Sequence, residues 1–366
     1  MKFTIKKTIL LKSLQKLNSI IYINYKNEII NNILFHIEHN NTYLISTNLE
    51  LELIAKINCI IIDQIGEIIV SAKKILNIIR SFPNNSEINI IVKNNIMKLQ
   101  YHNIYFKLHV LNPKHFPRFQ QKKNIDYILI NQDKFKNIIY NTHYAMAKQD
   151  IRHYLNGMNI EINKGTILSV STDGYRMAIS KINYENIKKK ISIIIPYKTI
   201  LELIKILEEK NNKIKISFNK NSIKIYLEKY IISSKLIDNQ FPNYKQFLKI
   251  IFQKNIIINR QKIKEALTRA SILTNQKIPG VRIIITNGIC TISANNEQDE
   301  IVKEKFKINY FHTPIELTMN IHYILDVINI IDNDTIKILL NNENSSICIQ
   351  DNKFNNSNHI IMPLIL

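Results

Sequence analysis

The chain has no tryptophan, and in 366 residues only 6 glycines, 8 prolines and 3 cysteines. So few chain breakers argue against long flexible linkers. The glycines stand at 66, 157, 165, 174, 280 and 288 and spell neither a Walker A loop nor GxGxxG. HExxH, paired CxxC and GxSxG are likewise missing, which weighs against the commoner hydrolase and metal chemistries. Cys59, Cys290 and Cys348 are far apart, and each has apolar neighbours. That pattern suits buried strand thiols in a reducing compartment. No run of about 18 apolar residues occurs, so no membrane span is expected. The first seven residues alternate apolar and polar without an apolar signal region, so no signal peptide is expected and a cytoplasmic protein is.

Acidic residues are also scarce: 29 against 50 basic, a formal net charge of +21. An excess of that size points to a polyanion, nucleic acid first. The chain is crowded with Ile, Asn and Lys, whose codons are AT-rich, so drift in base composition is a second source of lysine. The placement of the charge therefore carries more than its total.

What is present is a 45% hydrophobic content, enough for sizeable cores, and one pattern written three times. A strand feeding an amphipathic helix appears at 3–5 into 9–17, at 127–130 into 135–144, and at 256–258 into 263–273. A strand ending in a small polar triplet recurs at Ser46, Ser171 and Ser293. A second helix opens at Lys73, Lys198 and His322. An apolar-Pro pair closes each copy at Phe116-Pro117, Phe241-Pro242 and Met362-Pro363. The step is about 125 residues, domain-sized rather than solenoid-sized, so three domains are expected, at 1–125, 126–250 and 251–366.

Within a copy, Leu10, Leu14 and Leu17 mark one helical face, and so do Ile263, Ala266, Leu267 and Ala270. The alternation in 213–217 and 222–226, separated by Asn219-Lys220-Asn221, reads as antiparallel strands around a turn. Each copy is thus α+β, with helices on one face of an antiparallel sheet. The helices carry Lys12, Lys16, Lys134, Lys136, Lys262, Lys264 and Arg269 in one class, and Lys73, Lys74, Arg80, Lys198 and Lys205 in the other; Asp326 breaks the rule in the third copy. Basic faces repeated in this way would attract phosphate without reading sequence. Asp173-Gly174 reads as a hairpin turn rather than a catalytic acid. His36 and His39 fall on opposite faces of a strand, which disfavours a shared metal.

These residues, taken over the whole length, resemble the β subunit of bacterial DNA polymerase III, the sliding-clamp family. The resemblance is carried by Met1-Lys2-Phe3-Thr4, by 149–158 (QDIRHYLNGM), by Thr172-Asp173-Gly174-Tyr175-Arg176, by 234–238 and Phe241-Pro242-Asn243-Tyr244, and by Gly280-Val281-Arg282 and Met362-Pro363-Leu364. It implies three similar domains of the DNA-clamp fold, helices lining a central hole and sheets outside, and two chains closed head to tail into a homodimeric ring. The implied role is that of a non-catalytic processivity subunit without cofactor or metal. Its partners would be double-stranded DNA, the polymerase III alpha subunit and the clamp loader.

Carried over residue by residue, the family's DNA contacts fall on Lys73, Gln149, His153 and Tyr154, with Lys198, Lys205 and Arg269 at hole-lining positions. Asn24 stands where the family usually has arginine, and His153 where tyrosine is usual. A peptide-docking pocket falls on Leu155, Thr172, Gly174, Tyr175, Arg176, Met177, Pro242, Phe247, Asn320, Tyr323, Ser346, Ile360, Met362, Pro363 and Leu364. There Tyr175 replaces a usual histidine, Gln246 a frequent arginine and Ile365 the usual penultimate arginine. The dimer contact falls on Phe106 and Leu108 against Ile272 and Leu273, flanked by Lys74 facing Glu300 or Glu304. The competing readings are a basic nucleic-acid-binding protein of three repeated modules without ring closure, and an enzyme of nucleic-acid metabolism such as a nuclease, which would need clustered carboxylates where Asp150 and Asp173 are isolated in sequence.

Overall fold

The computed structural model describes all residues except 22–27, 40, 120–125, 164, 185–189, 276, 342–344, 354–355 and 365–366. Seven α-helices occur among the described residues: α1 Lys7–Ser19, α2 Ala72–Ser81, α3 Gln132–Tyr140, α4 Tyr197–Ile206, α5 Lys245–Leu248, α6 Arg260–Ala270 and α7 Ile321–Ile330. Their local causes are legible. On α1, Leu10, Leu14 and Leu17 are all fully buried. The Asn259 side chain accepts a hydrogen bond from the Lys262 amide at the start of α6, and Asn320 does the same for His322 at the start of α7. Pro83 follows α2, whose last carbonyls meet a buried cation: the Lys7 ammonium donates to the Arg80 carbonyl at 3.2 Å and to that of Phe82.

Among the described residues every strand pair is antiparallel, in four sheets. A five-stranded sheet runs Ile61–Gln64, Lys2–Lys6, Glu87–Lys93, Ile96–Tyr101, Ile104–His109. An eight-stranded sheet joins strands from the first two sequence copies, with Tyr230–Lys235 paired to Leu51–Ile57. A second eight-stranded sheet joins strands of the second and third copies, with Arg176–Asn183 paired to Ser357–Ile361 in the register Arg176↔Ile361 and Met177↔Ile360. The fourth sheet runs Ile301–Lys307, Ile289–Asn295, Gly280–Thr286, Ile315–Asn320. The chain packs as two compact units, one of residues 1–133 and 205–236, the other of 134–204 and 237–366. The first unit holds the first two sheets, and the second holds the other two.

Some details depart from the sequence reading. The helix expected over 135–144 ends at Tyr140, and 143–145 is a 3-10 turn. The buried Thr142 hydroxyl bonds back to the Ile138 carbonyl at 2.9 Å and to Ser169 at 3.1 Å, a side-chain alternative to the helical ladder. Similarly, α6 stops at Ala270 and passes into a 3-10 turn at Ser271–Leu273. Cys290 and Cys348 are buried, but Cys59 is only half-buried, outside any strand, 3.3 Å from the Thr42 hydroxyl. His39 lies beyond the end of strand Asn32–Ile37, while His36 sits beside Glu38 and Glu67. The turn at 219–221 forms as expected, the Asn219 carboxamide accepting from the amides of Asn221 and Ser222, each at 2.9 Å.

Candidate functional site

The residues expected to form a docking pocket all lie in the second unit, several of them at one turn. Strands Thr166–Thr172 and Arg176–Asn183 are joined through Asp173-Gly174-Tyr175, with Gly174 at φ +97°. The Asp173 carboxylate accepts from the amides of Tyr175 and Arg176 at 2.9 and 3.0 Å. The Thr172 hydroxyl donates to the Arg176 carbonyl at 2.6 Å and accepts from the Gly174 amide at 3.1 Å. Asp173 is therefore a turn-builder, as its place before glycine suggested.

The end of the described chain lies against this turn. The Met362 amide donates to the Tyr175 carbonyl at 3.0 Å, and the Leu364 amide to the Thr318 carbonyl at 2.8 Å. Below is an apolar floor of Val170, Met177, Ile179, Tyr244, Cys348 and Ile360, against which Phe247 packs from α5. Leu155 is also buried. Pro242 and Ser346 are half-buried, Pro242 leading into Tyr244 and Ser346 preceding strand Ile347–Asp351. Above the floor, Tyr175 and Met362 are 64% and 48% exposed, large apolar groups kept at the surface. Half-buried Pro363 continues from Met362.

Arg176 holds the parts together. Its guanidinium donates to Asp173 at 3.0 Å, to Asp326 on α7 at 2.5 Å and to the Tyr144 carbonyl at 2.8 Å. It also lies over the rings of Tyr323 and Tyr144, 4.4 and 5.2 Å from their centroids. Burial opposes its charge, but the hydrogen bond to Asp326 and the field of Asp173 outweigh that and raise its pKa. Beneath, the Tyr144 hydroxyl lies 2.8 Å from Nδ1 of the buried His359, whose pKa burial pushes down to about 4. Glu161, itself buried, fixes the approach to α5 by accepting from the Tyr244 hydroxyl at 2.6 Å and from Lys245 at 3.1 Å. Asp326, Tyr144 and Glu161 were not picked out from the sequence as pocket residues. The one signal was Asp326 itself, an acid where the other copies of that helix are basic.

The residues expected to meet DNA stand on several elements of both units. Lys73 on α2 and Lys198 and Lys205 on α4 are exposed on helical surfaces. Gln149 is exposed at φ +58°, and His153 and Tyr154 follow on a 3-10 turn of the same loop. Arg269 on α6 is ion-paired to Glu304 at 2.5 Å. That pair occupies both an expected DNA contact and an expected partner of Lys74; Glu300 is hydrogen-bonded to Asn296. Asn24 and Ile365 lie outside the described residues. Asp150 accepts from Arg152 through its carboxylate, whereas Asp173 does so only through its backbone carbonyl. Among the described residues no group of three or more His, Cys, Asp or Glu side chains is placed to hold a metal ion, and no helix is long and apolar enough to cross a membrane.

Phe106 is half-buried against Phe82, with ring centroids 5.6 Å apart, on strand Ile104–His109 at one edge of the five-stranded sheet. Leu108 is half-buried on the same strand. Ile272 is 77% exposed, and Leu273 half-buried, in the 3-10 turn after α6. Lys74 is exposed on α2.

Three family models match in succession: the N-terminal domain of the DNA polymerase III beta subunit over residues 1–120, the central domain over 129–243 and the C-terminal domain over 249–365. The chain is 36% identical over its full length to the full-length β sliding clamp of Buchnera aphidicola subsp. Rhopalosiphum padi, and 32% identical, again over both full lengths, to that of Pseudomonas aeruginosa. The crystal structure of the Pseudomonas aeruginosa DNA polymerase III subunit beta superposes with a TM-score of 0.95 over all of both chains. A sliding clamp from Bartonella birtlesii, bound to griselimycin, does so with a TM-score of 0.94 at 25% identity. The chain belongs to the β sliding clamps, the non-catalytic β subunits of DNA polymerase III.

Proposed function

We propose that this chain closes with a second copy into a ring around duplex DNA and holds the polymerase III alpha subunit and the clamp loader through the pocket on its second unit. One observation carries the docking part: an apolar floor of Met177, Ile360 and Cys348 lies under a surface that leaves Tyr175 and Met362 exposed. A short peptide with an apolar anchor buries that anchor on such a floor, and the turn and the Arg176 network hold the walls still beforehand. Pro242, Phe247, Asn320, Tyr323, Ser346, Pro363 and Leu364 complete the proposed walls.

DNA would be met by the exposed Lys73, Lys198 and Lys205 and by the loop carrying Gln149, His153 and Tyr154, with Arg269 joining when released from Glu304. Such contacts go to phosphate, so they hold position without reading bases. For the ring, strand Ile104–His109 and strand Ile301–Lys307 each stand at a sheet edge, near Phe106 and Leu108 and in the unit that carries Ile272 and Leu273. Open edges invite pairing with a second chain. Domain limits near residues 125 and 250 and a cytoplasmic location accompany this reading; three free cysteines suit such a compartment.

The test is binding of a labelled peptide carrying a glutamine followed by a leucine-phenylalanine anchor. Saturable binding, weakened about tenfold or more by Met362→Ala, is expected. A folded chain that binds no such peptide would exclude the docking pocket.

A further inference from the structure

The Arg152 side chain ties the loop that carries Gln149 and His153 to the docking turn. Arg152 donates to both carboxylate oxygens of Asp150, from Nε at 3.0 Å and Nη2 at 2.9 Å, and its backbone amide adds a third bond to Asp150 at 2.8 Å. The same Nη2 also donates to the Asp173 carbonyl at 3.3 Å. The loop itself is closed by Asn156, which accepts from the Asp150 amide and donates to its carbonyl, both at 2.8 Å. Glycine at 174 makes room for the tie: a Cβ there would lie 3.2 Å from the guanidinium. The Asp173 carboxylate meanwhile sets the amides of Tyr175 and Arg176, and the Tyr175 carbonyl holds Met362. A continuous series of short contacts therefore runs from the loop to the rim of the pocket, all within one unit.

We infer that Arg152 is a positioning residue that couples the two sites, so that duplex DNA held by the loop tightens peptide binding at the turn and a docked peptide tightens the hold on DNA. This rests on the site assignments proposed above. The direction follows from ordering: a ligand that steadies the loop leaves less motion for the second ligand to freeze. Reciprocity is required thermodynamically. The tie is solvent-exposed, so its strength is that of a surface ion pair, and the expected effect is about 2- to 5-fold in either affinity.

The experiment uses the full chain and the labelled peptide above, titrated with and without a saturating short DNA duplex at low salt. Binding of the duplex is followed separately. In the unmodified chain the duplex should lower the peptide Kd about 2- to 5-fold. In Arg152→Gln, and in Asp150→Asn, which keeps the arginine charge but breaks its two-point grip, that gain should disappear while both ligands still bind. A gain that survives in either folded variant overturns the coupling, as does an unmodified chain that binds both ligands independently. An unmodified chain that binds no peptide at all fails differently: it removes the docking site and the coupling with it.

Discussion

At the scale of single residues, the second unit rests on buried polar groups whose protonation is fixed by position. His359 is fully buried and its folded pKa lies near 4, against about 6.5 for an unfolded histidine. The folded state therefore binds the proton more weakly than the unfolded one. Its contribution is complete above about pH 6.5 and is lost as pH falls from there towards 4, with an upper bound of about 3 kcal/mol. His143, lowered chiefly by its burial, acts in the same sense. Carboxylates with depressed pKa, such as Glu161 and Glu67, lose their share as pH falls through the ordinary carboxylate range and below it, while Glu52, raised by its burial, acts in the opposite sense, so comparison with a His359 variant is what isolates the histidine. Urea unfolding at pH 7 and pH 5 should show the loss, and His359→Gln should flatten the pH dependence across that interval. Nothing in the sequence marked this histidine. A lone histidine in an apolar strand looks the same whether it faces solvent or core, and only packing decides.

At the scale of elements, the antiparallel ladders depend on close backbone approach. Gly157 opens strand Gly157–Asn163 opposite Pro196, and a Cβ there would stand 2.6 Å from the Ile195 carbonyl oxygen and 2.9 Å from the side chains of Ile194 and Ile237. Neighbouring backbone cannot move aside as a flexible side chain can. Gly157→Ala is expected to destabilise the chain by about 1–3 kcal/mol, as overpacking does, measured by thermal or urea unfolding. Gly280→Ala is the control, since its Cβ would make only an ordinary contact at 3.6 Å with Leu364. Much at this scale was readable beforehand. Leucines four and three residues apart predicted α1, Asn-rich turns predicted the hairpins, and Asp-Gly predicted the turn at 173–175. The end of α3 was not readable, because the bond of Thr142 to Ser169 joins residues that only the folded sheet brings together.

At the scale of the whole molecule, the threefold pattern marked three sequence copies but not the units of packing. Strands from one sequence copy complete a sheet begun by another, as Tyr230–Lys235 does beside Leu51–Ile57. Such pairings close would-be edges inside the chain, while Ile104–His109 and Ile301–Lys307 are among the terminal strands of their sheets. If the proposed dimer forms through the surfaces around them, replacing both exposed Ile272 and half-buried Leu273 by alanine should give monomers in sedimentation velocity. A variant that still sediments as a dimer places the interface elsewhere.

The sequence by itself determined the periodicities: which residues face a core, where the chain turns, how many times the plan repeats, and which family that plan belongs to. These are local or nearly local properties, fixed by side-chain volume, branching and hydrogen-bonding groups within a few residues. Only the tertiary structure decided which strands share a sheet, that Arg176 would stand between Asp173 and Asp326, that Arg269 would be held by Glu304, and that Arg152 would bridge two segments. Each of those arginines has a partner at least 21 residues away within 3.3 Å, and no spacing along the chain encodes such a meeting.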